Sequence, residues 1–487
     1  IIDGVIWVAF FSLAAIFRRQ LFPWLRRISF FLISLQAGLL LLLILNNPHA
    51  WDARQTLGIA RYRYNFSREK NVLLLILDEF QSDVFADIVD QDQDYRSIFD
   101  GFTYFRNSVG SYSATSAAVP FIMTGQYYDN SEDRRSYIKR SYVRRSIPQR
   151  LWTHGFRLDL YPRPDSGDLV YLPESWLERE PHGRLSWREK ILPHAFLLDI
   201  TLFRYVPHFI KPLFCRQQKW LLSSWARGIF PDGADAALSV RNPDLQASSF
   251  PGFGRELVSL GLDFNFVNSF LAKAEGSGLE PVFKYYHWNA VHAPLRFDEN
   301  FQITYRGSNR ANFTSQAKAC LKMVGLILGK LKELNVYDQT LMIVMSDHGS
   351  GRGKDMLLNP FFDGHSRSLS NGNPYQPFHY VKSRASALLL VKTINARGTM
   401  KISNAPVSHL DVAPTIFKEL GIEASDFSGE SVFSVQEHSK RSRFFYSYSW
   451  DGHHNAFLQP IVEYRIEGDC WQDASWSLTG RVFRAPK

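Results

Sequence analysis

The chain has 487 residues, a formal net charge of +9 and 45% hydrophobic residues, enough for one large domain with attachments or two to three smaller ones. Its three cysteines, Cys215, Cys320 and Cys470, lie far apart, which excludes a disulfide framework and a Cys-ligated zinc site. The positive balance suits an anionic substrate, a membrane surface or nucleic acid; no nucleic-acid-binding motif occurs, so nucleic acid is not an expected partner.

The first residue is Ile1, not Met, and the chain is expected to be a piece of a longer protein. Residues 1–45 predict transmembrane segments. Ile1–Phe17 is mostly apolar; Arg18, Arg19, Arg26 and Arg27 follow; Ile28–Leu45 is then eighteen residues without a charge. At ~1.5 Å per residue, that run nearly crosses a hydrocarbon layer of ~30 Å. The positive-inside rule places an arginine-bearing loop in the cytoplasm and everything after Asn46 outside it. Arginines between two apolar runs argue against a cleaved signal peptide. Residues 46–70 read as a polar tether.

Asn71–Leu77 is the continuous apolar run of a strand buried on both faces, and it ends in Asp78 and Glu79. In Ser111–Gly125, small and hydroxyl residues lead into an apolar run, as in a loop entering a helix. Thr115 or Ser116 then stands at the helix N-terminus, where orphan N–H groups favour an anion; a plain Ser/Thr cap is the other reading. Pro148–Leu160 predicts a short helix, a stop at Gly155 and a strand from Phe156. From Tyr161 to about Leu262 the α/β rhythm breaks. Ala195–Pro231 mixes aromatic and basic residues, which suits a membrane-interface segment or an insertion packed on its own domain.

Pro281–Trp288 predicts another strand, leading to Asn289, His292 and Pro294. Ser315–Leu334 has the period of a helix and feeds Leu341–Gly349. Five apolar residues there end in Ser346, Asp347, His348 and Gly349. A carboxylate and an imidazole at the C-terminal end of a buried strand sit where open α/β sheets place ligands, and Gly349 permits the turn. Parallel strands ending in Asp78 and Asp347 would bring acids together that need a cation or a proton between them. Ala385–Val391 predicts a further strand. Val412–Leu420 predicts a helix capped by Ser408 or Asp411 and stopped at Gly421, and residues 426–487 a small antiparallel sheet.

Asp78 after a strand, Thr115 before Thr124-Gly125, Ser346-Asp-His-Gly349 and Ser408-His-Leu-Asp-Val-Ala-Pro-Thr415 follow one another in this order. The set resembles the sulfatase branch of the alkaline phosphatase superfamily, over roughly Asn71–Ile422 without the insertion. The resemblance implies an α/β fold with a mixed, mainly parallel sheet between helices and a small C-terminal antiparallel sheet. The implied organisation is 1–45 transmembrane, 46–70 tether, 71–425 catalytic domain with an insertion at about 161–262, and 426–487 small sheet.

True sulfatases carry Cys or Ser ten residues before the Gly, oxidised to formylglycine, and an Arg four residues later. Thr115 and Val119 stand there in this chain, and no cysteine occurs before Cys215. A secondary alcohol cannot become an aldehyde. Taking Ser113 or Ser116 instead puts Ala117 or Pro120 at the Arg position. Thr at this place is similar to the membrane-anchored lipoteichoic acid synthases, phosphoglycerol transferases and phosphoethanolamine transferases. That likeness implies transfer of a phosphoryl-linked head group from a phospholipid to an envelope glycan or lipid acceptor. The catalytic domain is then expected on the periplasmic, extracytoplasmic side of a bacterial inner (plasma) membrane.

The same resemblance implies one divalent metal ion held by Asp78, Asp347 and His348 beside Thr115, which is both ligand and nucleophile. Oxygen and nitrogen ligands favour Mn or Zn, with Ca or Mg open and a second metal undetermined. Glu79 is a ligand or supports one. His292 resembles the family's substrate-binding histidine, or is a turn histidine before Pro294. His365 stands where some relatives place a metal- or substrate-binding histidine, with His379 as its rival. A phosphodiesterase or other ester hydrolase with the same site, and a non-catalytic binding member, are the alternatives.

Overall fold

The computed structural model describes residues 64–161, 258–302 except 290, 294 and 296, 309–351, 375–449 and 456–486, helix Arg18–Asn46, and scattered residues within 12–17 and 195–222. The chain divides into two compact units, Ile1–Ala60 with Arg179–Arg255, and Arg61–Glu178 with Glu256–Lys487.

The first unit contains α1, Arg18–Asn46, of 29 residues. The expected loop bearing Arg18, Arg19, Arg26 and Arg27 is therefore helical, which suits arginine's helix propensity. Among the described residues no helix is long and apolar enough to cross a membrane, so the expected transmembrane segments are not found there. The side chains of 40–46, the leucine-rich end of α1, lie outside the described residues. Only fragments of the expected insertion are described, among them the short pairing of Cys215–Arg216 with Lys219–Trp220.

The second unit is built on a seven-stranded mixed sheet. Its elements, in chain order, begin with β1 (Asn71–Leu77), β2 (Thr103–Phe105), α2 (Thr115–Thr124), β3 (Arg157–Tyr161) and β4 (Val282–Trp288). There follow α3 (Arg310–Glu333), β5 (Thr340–Met345), α4 (Phe378–Ala385), β6 (Leu389–Lys392), β7 (Lys401–Ser403) and α5 (Val412–Leu420). The spatial order is β7-β2-β6-β5-β1-β4-β3. Strands β5, β1, β4 and β3 run parallel, and β6 runs against both its neighbours.

Every residue of β1 and β5 is buried, because helices cover both faces of a parallel sheet. Val72, Leu74 and Ile76 share one face and one core with Leu341, Ile343 and Met345, together with Ala118 and Ile122 of α2 and Ile416 and Phe417 of α5. Each of these side chains other than Ala118 contributes about 1.5–3 kcal/mol when fully buried. The register pairs Met345 with Ile76, so two residues later Asp347 and Asp78 emerge alongside each other. Ser408 caps the turn His409–Asp411 and Gly421 closes α5 in the left-handed region.

The C-terminal antiparallel sheet holds β8 (Ser442–Ser447), β9 (Ile461–Glu467) and β10 (Trp476–Phe483). It also holds the loop before α2, because Tyr446 N–H donates to Ser111 O at 2.8 Å and Ser113 N–H to Tyr446 O at 3.1 Å. Two local expectations are corrected. Ala385 ends α4, and the strand begins at Leu389. Within the expected tether, Asn65–Ser67 is a strand paired in parallel with Glu275–Gly278, where two segments of the second unit meet.

Candidate active site

Beyond β5, Ser346 extends the ladder to Leu388 through its N–H at 3.1 Å and its hydroxyl at 2.9 Å. Asp347 then turns inward, fully buried. Its Oδ1 accepts from His348 N–H at 2.9 Å and from Glu79 N–H at 3.3 Å. Its Oδ2 accepts from the Thr115 hydroxyl at 2.6 Å. Nε2 of His348 lies 3.3 Å from that hydroxyl, 3.4 Å from Asp347 Oδ2 and 3.9 Å from Asp78 Oδ1. Ligand atoms of Asp78, Asp347 and His348 all lie within 4.8 Å of one another, and all three residues are buried.

The ring of His348 is oriented from behind. Its Nδ1 lies 2.9 Å from Gly349 O and 3.0 Å from Arg384 Nη1, so Nε2, on the other side of the ring, faces the cluster. Burial pulls the pKa of His348 down, opposed by Asp347 and aided by Arg384, which favours the neutral imidazole that ligates metals. Two buried carboxylates beside a neutral imidazole and an alcohol repel each other unless a cation or proton intervenes. The donor set fits a divalent ion of the Mn²⁺ or Zn²⁺ kind.

Thr115 is the first residue of α2, and the N-cap, Ala114, has no side chain that could satisfy the helix's free N–H groups. The neighbouring hydroxyls are otherwise engaged. Ser113 Oγ donates to Tyr448 O at 3.0 Å and accepts from Tyr448 N–H at 3.1 Å, while Ser116 Oγ lies 3.2 Å from the Tyr448 hydroxyl. Glu79, at a left-handed φ of 62°, pairs with Arg384 at 2.8 Å and is not among the clustered ligands. His292 follows β4 on a turn, half-buried, with Nδ1 2.6 Å from Ala293 O. His379 is exposed on α4, and His365 lies outside the described residues.

Arg384, His409 and Tyr448 were not singled out by sequence. His409 is buried under the loop before Thr115, its Nδ1 accepting from Ser111 N–H at 3.2 Å, and burial drives its pKa down to about 4. Its signal lay in the Ser408–Thr415 motif; Arg384 and Tyr448 belong to segments without one.

The sulfatase family model matches residues 227–422. The matched stretch contains His292, Asp347 and His348, while Asp78 and Thr115 precede it and join the cluster through the fold. Enzymes of the sulfatase family are metal-dependent, which agrees with the donor set. Among solved structures, the chain is similar to the phosphonate monoester hydrolase of Silicibacter pomeroyi, at 16% identity, TM-score 0.44, covering 82% of this chain and 87% of that one. A 2-O GAG sulfatase gives 12%, 0.45, 82% and 81%. A protein in the alkaline phosphatase superfamily from Vibrio parahaemolyticus gives 12%, 0.42, 86% and 79%. No curated protein matches the chain.

Proposed function

We propose that this chain is a membrane-anchored phosphotransferase in which Thr115 takes a phosphoryl-linked head group from a phospholipid and passes it to an envelope acceptor. The observation that carries the reading is the Thr115 hydroxyl, 2.6 Å from Asp347 and 3.3 Å from His348 at a helix N-terminus, where sulfatases need an oxidisable residue. Asp78, Asp347 and His348 would hold the ion, with Thr115 as a further ligand. When bound, the ion would lower the hydroxyl's pKa and draw charge from the phosphoryl oxygens.

The chain's own groups do the rest. Thr115 Oγ1 attacks phosphorus and the bond from phosphorus to the lipid alcohol breaks. The threonine proton leaves toward Asp347 Oδ2, and His292 is assigned to protonate the departing alkoxide or hold a phosphate oxygen. The free N–H groups at the start of α2 bind the phosphoryl oxygens as charge gathers on them. An acceptor hydroxyl then reverses the sequence and frees Thr115. With water as acceptor, the same steps amount to a phosphodiesterase.

Exposed Trp24, Ile28, Phe30, Phe31, Leu35 and Leu39 on α1, and the charge-free run that continues from them, support anchoring in a bacterial plasma membrane. The catalytic unit then faces outward; a reporter fused after Lys487 that is active only in the cytoplasm would refute this topology.

The variant series tests the chemistry. Thr115→Ala is expected to lose at least ~10³-fold in turnover of a phospholipid or a chromogenic phosphodiester. Thr115→Ser keeps part of the rate, and Ser113→Ala and Ser116→Ala lose far less. Near-native turnover by Thr115→Ala would refute the assignment. Product analysis separates a moved head group from a free one.

A further inference from the structure

We infer that Arg384 is the positioning residue of the metal cluster and that Glu79 is its anchor, not a ligand. The inference rests on the functional reading above and deepens it. Arg384 is the penultimate residue of α4, and its side chain is only 12% exposed. Both backbone groups of Gly349 are bonded to it: Gly349 N–H donates to Arg384 O at 2.8 Å, and Arg384 Nη1 donates to Gly349 O at 3.0 Å. The approach is so close that a Cβ on residue 349 would stand 2.0 Å from Ser383 O.

The carbonyl held this way lies 2.9 Å from His348 Nδ1. Arg384 therefore fixes the peptide that aims Nε2 at Asp78, Asp347 and Thr115. Nη1 also lies 3.0 Å from Nδ1 itself, closing the space into which the ring would rotate. Two further bonds hold the guanidinium still: Glu79 Oε1 at 2.8 Å and the Tyr380 hydroxyl at 3.0 Å from Nε. Glu79 follows Asp78 directly, so its pairing ties the loop after β1 to the loop after β5 through one side chain. A buried charge is tolerated when its donors are used, as Nε and Nη1 are here.

The test is Mn²⁺ binding to the metal-free full chain by calorimetry, with thermal unfolding of each variant as the control on folding. Arg384→Met is expected to weaken binding at least about tenfold, the range for partners that orient metal-ligating histidines. Arg384→Lys recovers part of the loss, since an ammonium pairs with Glu79 but cannot bridge to Gly349 as well. Glu79→Gln stays within about threefold of native, and adding it to Arg384→Met changes little, because the inferred role of the Glu79 carboxylate is to hold Arg384. A role confined to stability would move the unfolding temperature and leave affinity alone. Native affinity in a folded Arg384→Met, or loss of the ion in Glu79→Gln as complete as in Asp347→Ala, overturns the inference. If Arg384→Met does not fold, Arg384→Lys and Glu79→Gln decide it by the same limits. A native chain that binds no divalent ion overturns the functional reading itself, which is a separate result.

Discussion

Lys392 shows how far this fold goes in closing over a charge. Its side chain is fully buried at the end of β6, where the ammonium donates to Tyr337 O at 3.0 Å and Thr393 O at 3.1 Å and lies 4.5 Å from the centre of the Tyr337 ring. Burial pulls its pKa down to about 8 from 10.5. Between those two values the unfolded chain binds the proton more readily than the folded one, so this group's contribution to stability rises with pH across that window. Denaturant unfolding of the native protein and Lys392→Met from pH 7 to 9.5 is expected to show native stability gaining on the variant as pH rises. Parallel curves would contradict the burial argument.

Among the elements, α4 and the turn after β5 depend on each other, and Gly349 is where they meet. Gly349→Ala is expected to cost about 1–3 kcal/mol or more through the clash with Ser383 O, and to weaken metal binding with it. Gly329 is the control. It lies in α3, where an added methyl group would meet nothing within 4 Å, so Gly329→Ala should stabilise by up to about 1 kcal/mol. Unfolding free energies of the two variants check both signs. The same pair of elements marks what sequence could reveal. Strand β5 was legible because an unbroken apolar run ends abruptly in polar residues, and α5 matches its expected span from Val412 to Leu420. Helix α4 was not. Phe-His-Tyr-Val-Lys-Ser-Arg-Ala is two turns long, rich in charge and without a full apolar period, so it reads as loop. Its last residue, Ala385, reads by pattern as the start of the next strand.

At the scale of the molecule, the site is an assembly of distant pieces. Thr115 and Asp347 are 232 positions apart, yet their side chains meet at 2.6 Å because β1 and β5 are neighbours in register and the C-terminal sheet holds the loop before α2. The three clustered side chains, Asp78, Asp347 and His348, were legible as polar ends of buried strands, since parallel strands deliver such ends to one edge. The orientation of the His348 ring, the pairing of Glu79 and the engagement of Ser113 and Ser116 were not, because each is set by a contact with a residue that no local pattern marks. Thr115 is the proposed nucleophile. Its most direct test is to incubate the membrane-embedded protein with a labelled phospholipid and Mn²⁺ in the absence of acceptor, stop the reaction early, and map the peptides by mass spectrometry. The expected result is the head-group phosphoryl mass on Thr115, absent from Thr115→Ala and from chelator-treated protein. The same mass on Ser113 or Ser116, or unchanged labelling of Thr115→Ala, would contradict it.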